Sequence, residues 1–156
     1  MKIQVVAVGK LKEKFWVAAC EEYLKRLKGY AKVSVDEVAD RDPAKVGGVD
    51  GARTMEGRAI LDKLATGSHV VLLDVQGKLV SSEQLSARID ELMLGGCSSI
   101  SFIIGGSDGV SEEVYAAADE RISLGKITLP HNLARVVLLE QIYRAFKISR
   151  GEPYHK

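Results

Sequence analysis

Hydrophobic and polar positions alternate along this chain in blocks of two different periods. Ile3 to Val8 is a nearly unbroken run of apolar, mainly β-branched residues and predicts a buried β-strand. Beyond Gly9 and the lysine-rich Lys10 to Lys14, residues Phe15, Trp16, Ala19, Cys20, Tyr23, Leu24 and Leu27 recur at three-and-four spacing. That spacing predicts an amphipathic helix, with Glu21, Glu22, Lys25 and Arg26 toward water and Gly29 at its stop. Trp16 and Tyr23 are expected in the core rather than as a stacking platform for bases. Lys32 to Val38 alternates as a half-exposed strand. Ala39 to Thr54, with Pro43, Gly47, Gly48 and Gly51, has no apolar period and reads as a long surface loop, ahead of a helix from about Met55 to Ala65.

His69 to Asp74 is a continuous apolar run, as expected of a central strand covered on both faces, and it turns through Gln76-Gly77-Lys78. Ser81 and Gln84 are spaced for a capping box, and Leu85, Ile89, Leu92 and Met93 give the following helix an apolar stripe that Gly95-Gly96 ends. Ser99 to Ile104 is the next strand. Ser111 is placed to cap a helix from Glu112 to about Glu120, with two acids in its positive first turn. A short strand, Ile122-Ser123-Leu124, follows. The last helix, Leu133 to about Arg150, carries apolar residues around most of its circumference, with Glu140 and Arg144 paired at i,i+4 on the polar stripe. Such a helix lies deep in a core or against a second subunit, and the second is the expectation.

Strands alternating with helices predict a mainly parallel α/β sheet flanked by helices, in one domain over residues 1–156. Two glycine breaks then stand out at strand ends: Gly105-Gly106-Ser107-Asp108-Gly109, and Gly125 leading into Lys126-Ile127-Thr128-Leu129-Pro130-His131. Glycine is favoured where backbone turns sharply or approaches a partner closely, and crevices at carboxyl ends of parallel strands bind ligands. Two ordinary strand-to-helix turns would leave the same pattern.

Composition narrows the classes. Hydrophobic residues at 46% and charged ones at 28% describe a globular protein of ordinary make-up. No apolar run nears the roughly eighteen residues of a membrane span, and the first residues are too short and strand-like for a signal peptide, so the expected location is cytoplasmic. Cys20 and Cys97 form no metal-ligand spacing, so neither zinc nor a disulfide is expected. Charge is uneven: eight Lys/Arg against three Glu over residues 1–32, nine against sixteen acids over 33–131, and five against two over 132–156. Basic ends around an acidic middle suit a phosphate backbone, although many proteins with no nucleic-acid partner are as uneven. No GxGxxG, GxxxxGK[ST] or GxSxG motif occurs, which disfavours dinucleotide binding, NTP hydrolysis and the usual hydrolase elbow.

The start Val6-Ala7-Val8-Gly9-Lys10, the block Ile104-Gly105-Gly106 to Gly109, Thr128-Leu129-Pro130-His131, Tyr143-Arg144-Ala145-Phe146 and the ending Pro153-Tyr154-His155 together resemble the RlmH (YbeA) family of SPOUT-class methyltransferases. The likeness runs from the first strand to the last residues. It implies a SPOUT-type α/β knot with a C-terminal trefoil, a homodimer and S-adenosylmethionine bound in the knot. It also implies methyl transfer, with no metal, to N3 of pseudouridine 1915 in 23S rRNA, on assembled ribosomes. Carried over by position, Leu73, Gly105 and the run Leu124, Gly125, Lys126, Ile127, Thr128 and Leu129 line the cofactor site. Within the family Gly125-Lys126-Ile127 varies, which suits recognition through backbone groups. The 39–54 segment receives no role.

For the acceptor site the candidates are His155, Tyr154 and Arg144. Imidazoles exchange protons near neutral pH, and a guanidinium orients phosphate or steadies a deprotonated ring. Against these stand a disordered terminus and a purely structural Glu140–Arg144 pair. His131 reads as a positioning or loop-capping group rather than the base, Asp74 as a crevice hydrogen-bonder or a structural residue, and Lys10, Lys12 and Lys14 as contacts to RNA phosphates or as a solvated surface. Two other readings stay open: a flavodoxin-like ligand-binding or regulatory module without catalysis, and a dehydrogenase-like dinucleotide binder.

Overall fold

In the computed structural model, which describes residues 1–156, the apolar run at the chain's start becomes β1 (Lys2–Val8). It lies between β2 (Lys32–Val38) and β4 (Ser99–Ile104), both parallel to it. β3 (His69–Leu79) and β5 (Glu120–Ser123) complete a five-stranded, all-parallel sheet in the order β2-β1-β4-β3-β5. The three inner strands, β1, β4 and the first half of β3, are those whose sequence is most continuously apolar, because both of their faces are covered.

Helices α1 (Lys14–Leu27), α3 (Ser82–Leu94) and α5 (His131–Ser149) cover one face, where Leu27, Leu85, Ile89, Leu138, Leu139 and Ile142 meet Ile3, Val5, Phe102 and Ile104. Helices α2 (Gly48–Lys63) and α4 (Glu112–Ala117) cover the other, where Ile60 and Val114 pack on Val6, Val8, Leu72 and Ile103. Truncating a wholly buried residue such as Leu138 to alanine costs about 2–5 kcal/mol.

Several expectations change. The last helix is the centre of its layer, with α1 and α3 on either side; Leu138, Leu139, Ile142, Ala145 and Phe146 are buried within one chain, while Leu133, Val136, Val137, Tyr143 and Ile148 stay half-buried. Conversely, Phe15 at the head of α1 is 64% exposed, and Trp16 and Tyr23 are only partly buried. The supposed loop 39–54 is much shorter: a single 3-10 turn, Pro43–Lys45, precedes α2, which begins at Gly48. Its glycine at 51 serves packing, since a Cβ there would lie 1.7 Å from the Val46 carbonyl oxygen.

β3 does not end at Asp74. It continues to Leu79 with a register shift, so that Leu73 and Lys78 both pair with Ile122 and the residues between them bulge. Gly77 permits the close return, because a Cβ would come within 2.8 Å of the Arg121 backbone. The capping box is present, with Gln84 N–H donating to Ser81 Oγ and Ser81 N–H to Gln84 Oε1. Ser111 caps α4 by position but without a side-chain bond, and α4 stops at Ala117.

Candidate functional site

At the carboxyl ends of β4 and β5, beside the bulge of β3, the sheet opens into a cavity of about 780 Å³, within the usual range for small-molecule sites. Its walls are the part of β3 that enters the bulge (Leu72 to Val75), the β4 end and glycine loop (Ile104 to Val110, save Asp108), Tyr115, and the continuous run Ile122 to His131. Leu73, Gly105 and Leu124 to Leu129 all line it, so the structure brings together every residue placed by resemblance at the cofactor site.

Backbone makes much of this wall. Gly125 holds φ +145 and turns the chain out of β5, with Ser123 Oγ taking its N–H and donating to its carbonyl. No amide or carbonyl from Lys126 to Leu129 has a hydrogen-bond partner within the chain. Four residues of unpaired backbone beside an apolar cleft are suited to the edge of a heterocycle.

His131 begins α5 at the cavity, and its imidazole packs on Gly9, where a Cβ would lie 3.1 Å from Nε2. Gly9 has φ +97, a conformation that favours glycine, and the close imidazole leaves little room for a side chain. One helical turn on, Arg135 is only 1% exposed. It donates to Glu37 Oε2 at 2.6 Å and to the Gly9 carbonyl at 2.9 Å, tying the ends of β1 and β2 to the first turn of α5. Burial pushes the Glu37 carboxyl up, but Arg135 and the Leu11 N–H outweigh it and hold it low.

Arg144, Tyr154 and His155 form a second cluster, and none of them lines the cavity. Arg144 lies ten residues beyond Ala134, the last cavity residue on α5, or about 15 Å along the axis. Both Nε and Nη2 of Arg144 donate to Glu140 Oε1, at 3.0 and 2.5 Å, and its guanidinium sits 4.7 Å over the Tyr154 ring. Tyr154 donates to the same Glu140 oxygen and meets Tyr143 edge-on, its ring centroid 5.0 Å away. Burial, then Glu140, pushes the phenol up to about 12, so it stays protonated and serves as a donor, not a base.

His155 bridges Arg144 Nη1 at 3.2 Å and Glu83 Oε1 at 2.8 Å. Arginine can only donate, so Nδ1 accepts and Nε2–H donates to Glu83. The terminus is thus docked on its own α3 and α5, and the imidazole's accepting nitrogen is occupied.

The chain matches, over residues 1–155, the family described as "Predicted SPOUT methyltransferase". It is 50% identical to the ribosomal RNA large subunit methyltransferase H of Listeria monocytogenes serotype 4b, with 100% of both chains covered. It is 48% identical, again over 100% of both, to the protein of the same name from Lysinibacillus sphaericus. The chain belongs to the SPOUT methyltransferases. Among them its full-length relatives place it in the RlmH family. A solved structure of a probable methylase family protein from Haemophilus influenzae covers 99% of this chain and 70% of its own, with TM-score 0.55 at 12% identity, which speaks for the shared fold alone.

In this SPOUT chain Asp74 lies on the bulge lining the cavity, bonded to the Gln76 N–H and 3.5 Å from Arg121. Lys10, Lys12 and Lys14 are exposed, beyond the carboxyl end of β1. No group of three or more His, Cys, Asp or Glu is arranged to hold a metal. Sequence reasoning missed Arg135, which a lone arginine among apolar residues of α5 could have signalled, and Glu56, considered below.

Proposed function

We propose that the protein is an S-adenosylmethionine-dependent methyltransferase of large-subunit rRNA, acting as a homodimer on N3 of pseudouridine 1915. The observation that carries this reading is the separation of the two clusters within one chain. A cavity with unpaired backbone groups lies at the strand ends, while Arg144, Tyr154 and His155 stand outside it. A second copy is the simplest way to unite them, with the terminus of one subunit over the cavity of the other and the trefoil threading of the family around it.

The cavity suits the cofactor: apolar walls would take the adenine faces, and Lys126 to Leu129 offer amides and carbonyls to its edge. When bound, S-adenosylmethionine supplies an electrophilic methyl group on a sulfonium. Leu73, Gly105 and Leu124 to Leu129 hold that donor, so that much of the rate comes from orientation of donor and acceptor. Arg144 stabilises the ring anion left when N3 loses its proton, being always charged and held in place by Glu140. Tyr154 donates a hydrogen bond to the acceptor. His155 orients the base, and leaving its place between Arg144 and Glu83 would free Nδ1 for the proton. The ribosome presents the RNA, and the exposed Lys10, Lys12 and Lys14 meet its phosphates.

Mass mapping of rRNA from cells lacking the protein, with and without its restoration, tests the activity. Loss and return of one methyl at that pseudouridine is expected; an unchanged map would remove the reading. Calorimetry with S-adenosylhomocysteine, FMN and NAD separates it from a flavodoxin-like or dinucleotide-binding module.

A further inference from the structure

Helix α2 packs behind the cavity's glycine loop, on the face of the sheet away from α5. Arg53 Nε donates to the Asp108 carbonyl at 2.6 Å, from outside the loop. Glu56, one turn on, is only 7% exposed, and its Oε2 accepts the Arg41 N–H at 2.9 Å. Its Oε1 stands directly behind Gly106, where a Cβ would lie 2.9 Å away. Gly57 lets α2 close on Ser111, whose hydroxyl a Cβ would meet at 2.3 Å. Three positions of one helix therefore touch the loop and the start of α4, and one of them also fastens the segment before the helix.

We propose that α2, together with residues 39–47, is the rear support of the methyl-donor loop, with Arg53 and Glu56 as its positioning residues. This assigns a role to the stretch that the resemblance left blank, and it rests on the cavity being the methyl-donor site. Glu56 accepts the Arg41 N–H with one oxygen and fills the space behind Gly106 with the other, so a loop ordered around a ligand steadies the side chain that fastens Arg41. Stability alone gives little reason for a carboxylate here. Burial first, then Asp40 and Asp108, pushes its pKa up against the opposing Arg41 N–H and charge. A raised carboxyl pKa means that stability is fullest below the unfolded value and falls as pH rises through the folded one. At neutral pH, then, the ionised form is a cost to the fold.

The test is calorimetric binding of S-adenosylhomocysteine to the full-length protein, with amide hydrogen exchange over residues 40–46. Wild-type protein should bind, and binding should slow exchange at Arg41. Glu56→Ala should weaken binding about tenfold and abolish that slowing. Glu56→Gln, which keeps an acceptor for Arg41 and the bulk behind Gly106, should stay within about threefold of wild type and unfold at the same temperature or higher. Arg53→Ala, at a more exposed position, should weaken binding by about threefold. Glu56→Ala or Arg53→Ala binding as wild type, or no ligand-dependent slowing at Arg41 in wild type, would overturn the proposal. If Glu56→Ala does not fold, Arg53→Ala and the wild-type exchange decide alone. Failure of wild-type protein to bind at all would instead strike the reading of the cavity.

Discussion

The cavity and the docked terminus are built in opposite ways. The cavity is made of glycine turns and unpaired backbone between Lys126 and Leu129, whereas the terminus is saturated with side-chain bonds from Glu140, Arg144, Tyr154, His155 and Glu83. A site built from backbone tolerates many side chains but few changes of conformation. A site built from side chains is the reverse, and its groups must be re-paired before they can act elsewhere. On the proposed function, side chains at Lys126 and Ile127 are therefore free to change, whereas those of Arg144, Tyr154 and His155 are not.

The sharpest way to break this contrast is to remove the terminus. Deleting Tyr154 to Lys156 should lower methylation at least 100-fold, the scale set by a misplaced reacting group, with folding and dimerisation unchanged by ultracentrifugation. Undiminished turnover would make the terminus ornamental. Next in size, Gly125→Ala places a side chain at φ +145, where strain of about 1–3 kcal/mol should weaken S-adenosylhomocysteine binding about tenfold by calorimetry. By contrast, Lys126→Ala should change that affinity by no more than about twofold, since only the backbone is engaged. A large loss would place the lysine side chain in the site.

The smallest effect concerns pH. Glu83 is held down to about 2 by its own N–H, by Ser81 and by His155. A lowered carboxylate pKa contributes stability above the ordinary value of 4.5 and loses it as pH falls through about 2. Glu83→Gln should therefore be slightly less stable than wild type near neutrality in urea unfolding, with the gap closing between pH 4.5 and about 2. A gap that persists at the acid end would deny the hydrogen bond from His155 to Glu83 its part in docking the terminus.

Much of this could be read from residue order because local pattern and tertiary role agree. β1 and β4 are β-branched runs that become central strands, and the Ser81–Gln84 capping box forms as spaced. The cavity was legible for a similar reason: its glycines interrupt strands at the end where parallel sheets open. Reading failed where one residue type serves two purposes. Gly47, Gly48 and Gly51 suggest a loop, yet they start α2 and let it pack against Val46. Gln76-Gly77-Lys78 suggests a turn, yet it continues β3 past a bulge. Glu83 meets His155 across 72 positions and Glu56 hides in a helix of weak apolar pattern, so neither contact leaves a local trace.

The account turns on one subunit's terminus acting at the other subunit's cavity, and mixed dimers test that most directly. One chain would lack Tyr154 to Lys156; the other would carry Gly125→Val, a β-branched residue at positive φ that spoils its cavity. Each homodimer should be inactive. Co-expressed, half of the dimers pair an intact cavity with an intact terminus across the interface, and activity should return to about a quarter of wild type. Inactive mixed dimers, with heterodimer formation confirmed by mass, would contradict the account.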